Sequence, residues 1–254
     1  MIHFDGQGIL LDVEGTTSAL AYVHEVLFPY ARRHLEEFLR NCWNDPEVVQ
    51  ARERISLDAG ITQYDDRRGS EEARGVALDR LCAEVNRLMD ADVKATGLKQ
   101  LQGLIWEQGF RSGELRSHVF SDVPPALVAW NAAGLDVRVF SSGSVAAQRL
   151  FFTHTEAGDL TFRFRGHYDT TLGPKREAAS YATISSDMQL RPSEILFLSD
   201  VVSELDAARA AGLETGLVVR PGNVAPASGH QHATITNFAQ VELKRFPCCA
   251  LSSP

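Results

Sequence analysis

The chain has 254 residues, 25 basic against 33 acidic side chains, and a formal net charge of −8 at pH 7; it is 44% hydrophobic and 23% charged. That apolar share is enough to bury a core, which excludes disorder as the main state. The acidic balance excludes the broad basic surface that meets phosphate backbones, so no nucleic acid partner is expected; a small anionic substrate needs only a local positive site.

The first apolar run, 8–13, has strand length and ends in the turn-forming stretch Glu14-Gly15-Thr16-Thr17. Between residues 18 and 116 strand signals fade and helical spacing takes over. Val23, Val26, Leu27, Tyr30, His34, Leu35 and Phe38 recur at spacings of three and four, which predicts one apolar helix face. Pro29 inside that run predicts a kink or two abutting helices. Asp45-Pro46 reads as an N-cap with proline at the first helical position. Two more stripes follow, Leu78, Leu81, Val85, Leu88 and Met89, then Leu98, Leu101, Leu104 and Ile105.

After residue 117 strand and helix alternate. Strands are predicted over Asp136–Phe140, 160–165, Ile195–Ser199 and 216–219, with a weaker one at 234–235. Helices are predicted over 123–133, 145–152, 175–184 and 203–211, with Gly134 and Gly212 placed to end two of them in the left-handed conformation. The alternation predicts an α/β fold with a doubly wound, mainly parallel sheet. This core covers residues 1–17 and 117–254, and an all-helical cap domain, 18–116, is inserted after the first strand.

Met1-Ile2-His3-Phe4-Asp5 lacks the basic region and long apolar stretch of a secretion signal, and no apolar run has the length of a membrane-spanning helix. Cys42, Cys82, Cys248 and Cys249 have no zinc-like spacing, and the adjacent last pair is poorly placed to form a bridge. A reduced, cytoplasmic protein without a membrane partner is the expectation. The tail, 247–254, is expected to fray.

In an open parallel sheet, ligands bind beyond the carboxyl ends of the strands, so the residues after each apolar run carry the chemistry. Asp12 and Glu14 follow the first run, Ser141 and Ser142 the second, Asp200 the run at Ile195–Ser199, and Arg220 and Asn223 the run ending at Val219. Asp12 and Asp200, from different strand ends, suit a hard cation such as Mg2+, which prefers oxygen ligands. The Ser141 hydroxyl and backbone N–H groups can hold phosphate oxygens, and Lys175 adds a fixed positive charge. Two carboxylates and a phosphate dianion bring four negative charges against three positive from that ion and the ammonium, so both cations matter. Singly, each residue has an ordinary reading too: an Asp after a strand is often an N-cap, and a Ser pair is often a turn. Lys175 is the odd one, because it falls in the first turn of a predicted helix, where the macrodipole opposes a cation and a nearby anion is called for.

The order Asp12-x-Glu14-Gly15-Thr16, then Ser141 after a strand, Lys175, and a strand ending in Asp200 resembles the haloacid dehalogenase superfamily. Its phosphatases carry Asp-x-Asp-Gly-Thr at the first position, and here Glu14 replaces the second Asp. With that substitution, Asp12-Val-Glu-Gly-Thr-Thr17 is similar to the acireductone synthases, the bifunctional enolase-phosphatases of methionine salvage. The likeness extends through Val23-His-Glu-Val-Leu-Phe-Pro-Tyr-Ala31, Ser112-Gly-Glu-Leu115 and Phe140-Ser-Ser-Gly-Ser-Val-Ala-Ala-Gln148. It continues in Asp169-Thr-Thr-Leu-Gly-Pro-Lys-Arg-Glu-Ala-Ala-Ser-Tyr181, Phe197-Leu-Ser-Asp200 and Val218-Val-Arg-Pro-Gly-Asn223.

The resemblance implies a Mg-dependent phosphoric monoester hydrolase. Its small phosphorylated diketone substrate, 2,3-diketo-5-methylthiopentyl 1-phosphate, is enolised and then hydrolysed to the acireductone 1,2-dihydroxy-5-(methylthio)pent-1-en-3-one. Asp12 is then the nucleophile that forms an aspartyl-phosphate, and Glu14 the general acid and base. Ser141, Ser142 and Lys175 are the implied substrate-binding residues, and Asp12, Glu14 and Asp200 the implied metal-site residues for one Mg2+ per chain. Glu14 and His24 are candidates for removing the carbon-bound proton, and the helical insert is expected to close over the substrate. Phe28, Tyr30, Trp106 and Phe110 could meet the methylthio tail, although core packing accounts for most of them. A monomer is expected. One rival is a superfamily phosphatase acting on a different small phosphomonoester. The other is a receiver-type signalling module, but receivers lack both a Glu two residues after their Asp and an insert after the first strand.

Overall fold

The computed structural model describes residues 1–60, 71–91, 93, 95–225 and 229–244. The chain divides into two compact units, Met1–Tyr22 with Arg116–Pro254, and Val23–Leu115. The first unit opens with β1 (Ile2–Phe4), β2 (Gly8–Leu11) and the short helix α1 (Leu20–Tyr22). The second unit begins with a π-helical turn, Val23–Leu27, and continues as α2 (Phe28–Cys42), α3 (Pro46–Asp58), α4 (Glu71–Asp90) and α5 (Thr96–Ser112). The break predicted at Pro29 takes this form: the π turn ends and the proline sits in the first turn of α2, where its missing N–H breaks no helical bond. Pro46 opens α3 in the same way, with Asp45 as an extended N-cap residue. Leu27, Tyr30, Leu35 and Phe38 are buried, as are Leu81, Val85, Leu101 and Ile105 of the later stripes. Val26 is the exception on the predicted face. It is 38% exposed, because the wider π turn breaks the helical period through that segment.

The first unit resumes with α6 (Val123–Ala132), β3 (Asp136–Phe140), α7 (Val145–Thr153) and β4 (Gly166–Tyr168). It continues through α8 (Ala178–Met188), β5 (Ile195–Ser199), α9 (Val202–Ala210), β6 (Glu214–Val218), β7 (Ala233–Ile235) and β8 (Val241–Leu243). Six parallel strands form one sheet in the order β4-β3-β2-β5-β6-β7, while β1 and β8 pair as a separate parallel ribbon. In the large sheet, Leu11 of β2 lies opposite Val139 of β3 on one side and Leu198 of β5 on the other. The chain builds outward from β2 to β3 and β4, then resumes at β5 on the far side of β2. The order therefore reverses at β2, and the ligand crevice of such a sheet opens beyond that strand's carboxyl end. Consecutive residues Ile9, Leu10, Leu11 and Leu196, Phe197, Leu198 are all fully buried, as in a parallel sheet covered on both faces. Tyr181 and Ile184 of α8 and Leu205 and Ala208 of α9 pack with Leu10, Phe140 and Phe197 in the main core.

The two segments that lead out of this unit and back into it are bonded to each other. The Phe120 N–H donates to Thr17 O at 3.0 Å, and the Ala19 N–H to His118 Nδ1 at 3.2 Å.

The sequence predicts a strand over 160–165; the structure has a 3-10 turn at Thr161–Arg163, and the strand, β4, comes after it. Asp159 Oδ1 accepts from the Thr161 N–H at 2.8 Å and from its hydroxyl at 2.5 Å, which starts the turn. Leu160 and Phe164 are then buried four residues apart, and Phe162 between them is 68% exposed. Gly134 and Gly212 end helices as predicted, with φ of +82° and +91°. Cys42 and Cys82 are free thiols, while Cys248, Cys249 and the whole tail 247–254 lie outside the described residues. Among the described residues no helix is long and apolar enough to cross a membrane.

One consequence of this packing is a pH dependence. His167 of β4 lies against the rings of Phe152 and Phe164 and 3.2 Å from Gln148 Oε1; burial, with the charge of Arg149, lowers its pKa to about 4. Below about 6.5 the unfolded chain takes up this proton and the folded protein does not, so stability falls as pH drops from there towards about 4. Between pH 7 and pH 5 the melting temperature of His167→Gln is expected to fall several degrees less than that of the parent, followed by circular dichroism.

Candidate active site

Asp12 follows β2, at the point where the strand order reverses, and is 5% exposed. Its Oδ1 accepts from the Val13 N–H at 2.7 Å and lies 2.8 Å from Lys175 Nζ; its Oδ2 lies 3.3 Å from Ser199 Oγ. Lys175 Nζ also reaches Glu204 Oε2 at 2.6 Å, from the first turn of α9, and Ser199 Oγ is 3.2 Å from that same oxygen. With one proton, the Ser199 hydroxyl donates to one carboxylate at a time. The ammonium thus bridges two buried carboxylates. Burial opposes its charge, but Asp12 and Glu204 outweigh the burial and its pKa is raised.

Lys175 is not helical. The sequence predicts it in the first turn of a helix over 175–184, but α8 begins at Ala178 and Lys175 occupies the loop before it. Side chains of α8 tie that loop down: Ser180 Oγ donates to Pro174 O at 2.8 Å, and Tyr181 Oη to Lys175 O at 2.7 Å. The conflict with the macrodipole lapses, and the anions the lysine calls for are present as Asp12 and Glu204.

Asp200 follows β5. Burial first, then the charge of Asp12 and more weakly that of Glu14, push its pKa up to about 7 against the pull of a backbone hydrogen bond and of Lys175. Glu204 is also pushed up to about 7, by burial and then by Asp12, against the pull of Lys175 and Ser199. The loop that carries Glu14 closes on itself. The N–H groups of Thr16, Thr17 and Ser18 all point to Val13 O, at 3.3, 3.0 and 2.9 Å, and the Gly15 N–H donates to Ser18 O at 2.8 Å. Gly15 has φ +72°, and a Cβ there would collide with Asp200 Oδ2, so only glycine lets the segment lie against that carboxylate.

Of the residues predicted for the site, Asp12 and Lys175 are in direct contact, and Glu14 and Asp200 are near enough for their charges to act on one another. Ser141 and Ser142 follow β3, the strand beside β2; Ser141 is buried, with its Oγ accepting from the Gly143 N–H at 3.3 Å, and Ser142 is exposed. His24 belongs to the second unit, where it is exposed and sits edge-on to Phe28 at 5.6 Å. In that unit Trp106 Nε1 donates to Leu27 O at 2.8 Å, Tyr30 Oη donates to Glu114 Oε2 at 2.7 Å, and Phe110 is buried. Among the described residues no three His, Cys, Asp or Glu side chains converge as a metal-ligand set.

Sequence reasoning misses Glu204 and Ser199. The available signal is the position of Glu204, beside Leu205 and one turn before Ala207 and Ala208 on the buried side of α9. A carboxylate there needs a partner.

No protein-family model matches the chain. The enolase-phosphatase E1 of Pseudomonas aeruginosa strain UCBPP-PA14 is 46% identical over 235 residues, covering 92% of this chain and 97% of that protein. Among solved structures, the UTR4 protein of Saccharomyces cerevisiae is 32% identical with a TM-score of 0.76, covering 93% of this chain and 100% of that one. A HAD phosphatase from Thermococcus onnurineus shares the fold at 16% identity, with a TM-score of 0.55 over 92% of this chain and 95% of that one. A relative that shares nearly half its residues over nearly the whole of both chains settles the kinship: on a haloacid dehalogenase-like fold, the chain belongs to the enolase-phosphatase E1 family.

Proposed function

We propose that the chain is a bifunctional enolase-phosphatase that converts 2,3-diketo-5-methylthiopentyl 1-phosphate to the acireductone and phosphate in methionine salvage. The observation that carries this reading is the buried Asp12–Lys175–Glu204 cluster beyond β2, beside the strand-end carboxylate Asp200, in a chain of this family.

Asp12 attacks phosphorus. The Val13 N–H and Lys175 hold its Oδ1, so the carboxylate is oriented before substrate arrives, which lowers the entropy to be lost in the transition state. Glu14 protonates the leaving oxygen and then takes a proton from the water that cleaves the aspartyl-phosphate. Ser141 and Ser142, at the end of the adjacent strand, take phosphate oxygens, and Lys175 neutralises part of the charge that gathers.

Asp12, Glu14, Asp200 and Glu204 together outnumber the one ammonium, and burial with the charges of Asp12 and Glu14 pushes Asp200 up to about 7. An all-oxygen donor set with that deficit fits Mg2+, which takes one or two carboxylates and keeps its waters. Because no three carboxylates converge among the described residues, Asp12 and Asp200 would hold it with water in the remaining positions and Glu14 beside them, and when bound it would supply charge that offsets the phosphate and the enolate oxygen. The core over 1–17 and 117–254, the cap over 18–116, and a cytoplasmic monomer belong to the same reading, and the free Cys42 and Cys82 suit a reducing compartment.

The test is phosphate release from a panel of phosphomonoesters that includes the diketone phosphate, with enol absorbance followed in parallel. The diketone phosphate is expected to give the highest kcat/KM, with enol formation, EDTA stopping release and Mg2+ restoring it. Release without enol absorbance removes the enolase half, a better unrelated ester removes the substrate, and turnover in metal-free buffer removes the metal.

A further inference from the structure

We propose that Arg220 and Asn223 are positioning residues that hold the segment after Glu14 in place for proton transfer to the leaving group. The inference rests on the acid–base reading of Glu14 given above. Arg220-Pro221-Gly222-Asn223 follows β6 as a β-turn: the Asn223 N–H donates to Arg220 O at 3.1 Å, proline is second, and Gly222 is third with φ +86°. Proline then left-handed glycine is the signature of a type II turn, whose first and fourth residues lie close together.

Both side chains reach one loop. Arg220 Nε donates to Thr16 O at 2.9 Å, and Asn223 Nδ2 donates to Gly15 O at 2.8 Å. The guanidinium is itself immobilised. It is buried between the rings of Phe120 and Phe238, at 4.4 and 4.7 Å, and its Nη1 donates to both oxygens of Asp122 at 2.9 Å and to Thr236 O at 3.1 Å. Nε and Nη1 are thus committed to the Thr16 and Thr236 carbonyls and to Asp122, while Nη2 is buried without a partner among the described residues.

The loop needs this restraint. Its own bonds converge on Val13 O and Ser18 O. The carbonyls of Gly15 and Thr16 take the two outside donors from the turn instead. Gly15, next to the general acid, is the residue with the greatest freedom to rotate. Two donors on successive carbonyls fix the peptide planes that follow Glu14, and a general acid works only within hydrogen-bond reach of its target.

Hydrolysis of p-nitrophenyl phosphate, whose phenolate departs without a proton, is compared with that of a primary alkyl phosphate, whose alkoxide requires one. The variants are Asn223→Ala, Asn223→Gln and Glu14→Gln. The measure is kcat/KM, which covers the steps through leaving-group departure and excludes the later hydrolysis in which Glu14 acts as base. Asn223→Ala is expected to lower kcat/KM on the alkyl ester about tenfold or more and on the aryl ester less than about threefold, with the same bias, larger, in Glu14→Gln. Asn223→Gln, which keeps the amide donor, is expected to recover part of the alkyl-ester rate. Equal losses on both esters in Asn223→Ala, with the bias intact in Glu14→Gln, would show the turn to be structural only and overturn the inference while sparing the role of Glu14. Absence of bias in Glu14→Gln would overturn both.

Discussion

Asp12→Asn is expected to lower kcat by at least about three orders of magnitude, because an amide cannot attack phosphorus to form the acyl-phosphate. The substitution is close to isosteric, and the amide oxygen can still accept from the Val13 N–H or the Ser199 hydroxyl. Lys175 loses one carboxylate but keeps Glu204 at 2.6 Å. The charge of Asp12 is also among the causes that raise Asp200 and Glu204, so its removal relieves repulsion inside the cluster. Two opposed changes leave stability nearly unaltered, and the melting temperature is expected to stay within a few degrees of the parent. A variant that folds, retains phosphate-ester binding and forms no phosphoenzyme is the expected outcome. Retention of even a tenth of parental turnover would remove Asp12 as nucleophile.

Lys175→Ala is expected to be damaging in both respects. The ammonium is 8% exposed and is the contact shared by Asp12 and Glu204. Its removal leaves two buried carboxylates without their counter-charge, which destabilises by about 3–5 kcal/mol. The sign of the pH dependence follows from the raised pKa values of Asp200 and Glu204, both near 7. A carboxyl group with a raised folded-state pKa is tolerated when protonated, and stability is lost as pH rises through that value. The melting-temperature deficit of Lys175→Ala is therefore expected to widen from pH 6 to pH 8. Turnover falls as well, because Asp12 loses the contact that orients it, and KM for a phosphate substrate rises. An unchanged KM together with a deficit that narrows at pH 8 would remove the lysine from phosphate binding and from balancing the buried carboxylates.

The parallel core is legible in the sequence where short-range signals and burial agree. Asp136–Phe140 and Ile195–Ser199 have the bounds the sequence predicts, the first from its alternation and the second from an unbroken apolar run, which a strand covered on both faces permits. The run at 160–165 misleads because alternation alone does not separate a strand from a turn fixed by a side chain, here Asp159. The ribbon of β1 and β8 joins the two ends of the sequence, and no local pattern encodes such a pairing. At the site, Asp12 and Asp200 are legible because strand ends gather ligand-binding residues, and Lys175 because a cation at a predicted helix start calls for an anion. Glu204 is not, because its role depends on which side of α9 faces Lys175, and that is set by packing. Arg220 and Asn223 are visible as strand-end residues, but their partners are backbone carbonyls more than two hundred positions away in sequence, at Thr16 and Gly15.

The bonds that join Thr17 to Phe120 and Ala19 to His118 mean that the helical insertion enters and leaves through a single doorway. A segment attached in this way can be lengthened, trimmed or exchanged without shifting the register of any strand. The same doorway begins a few residues beyond Asp12, at the end of the loop that carries Glu14.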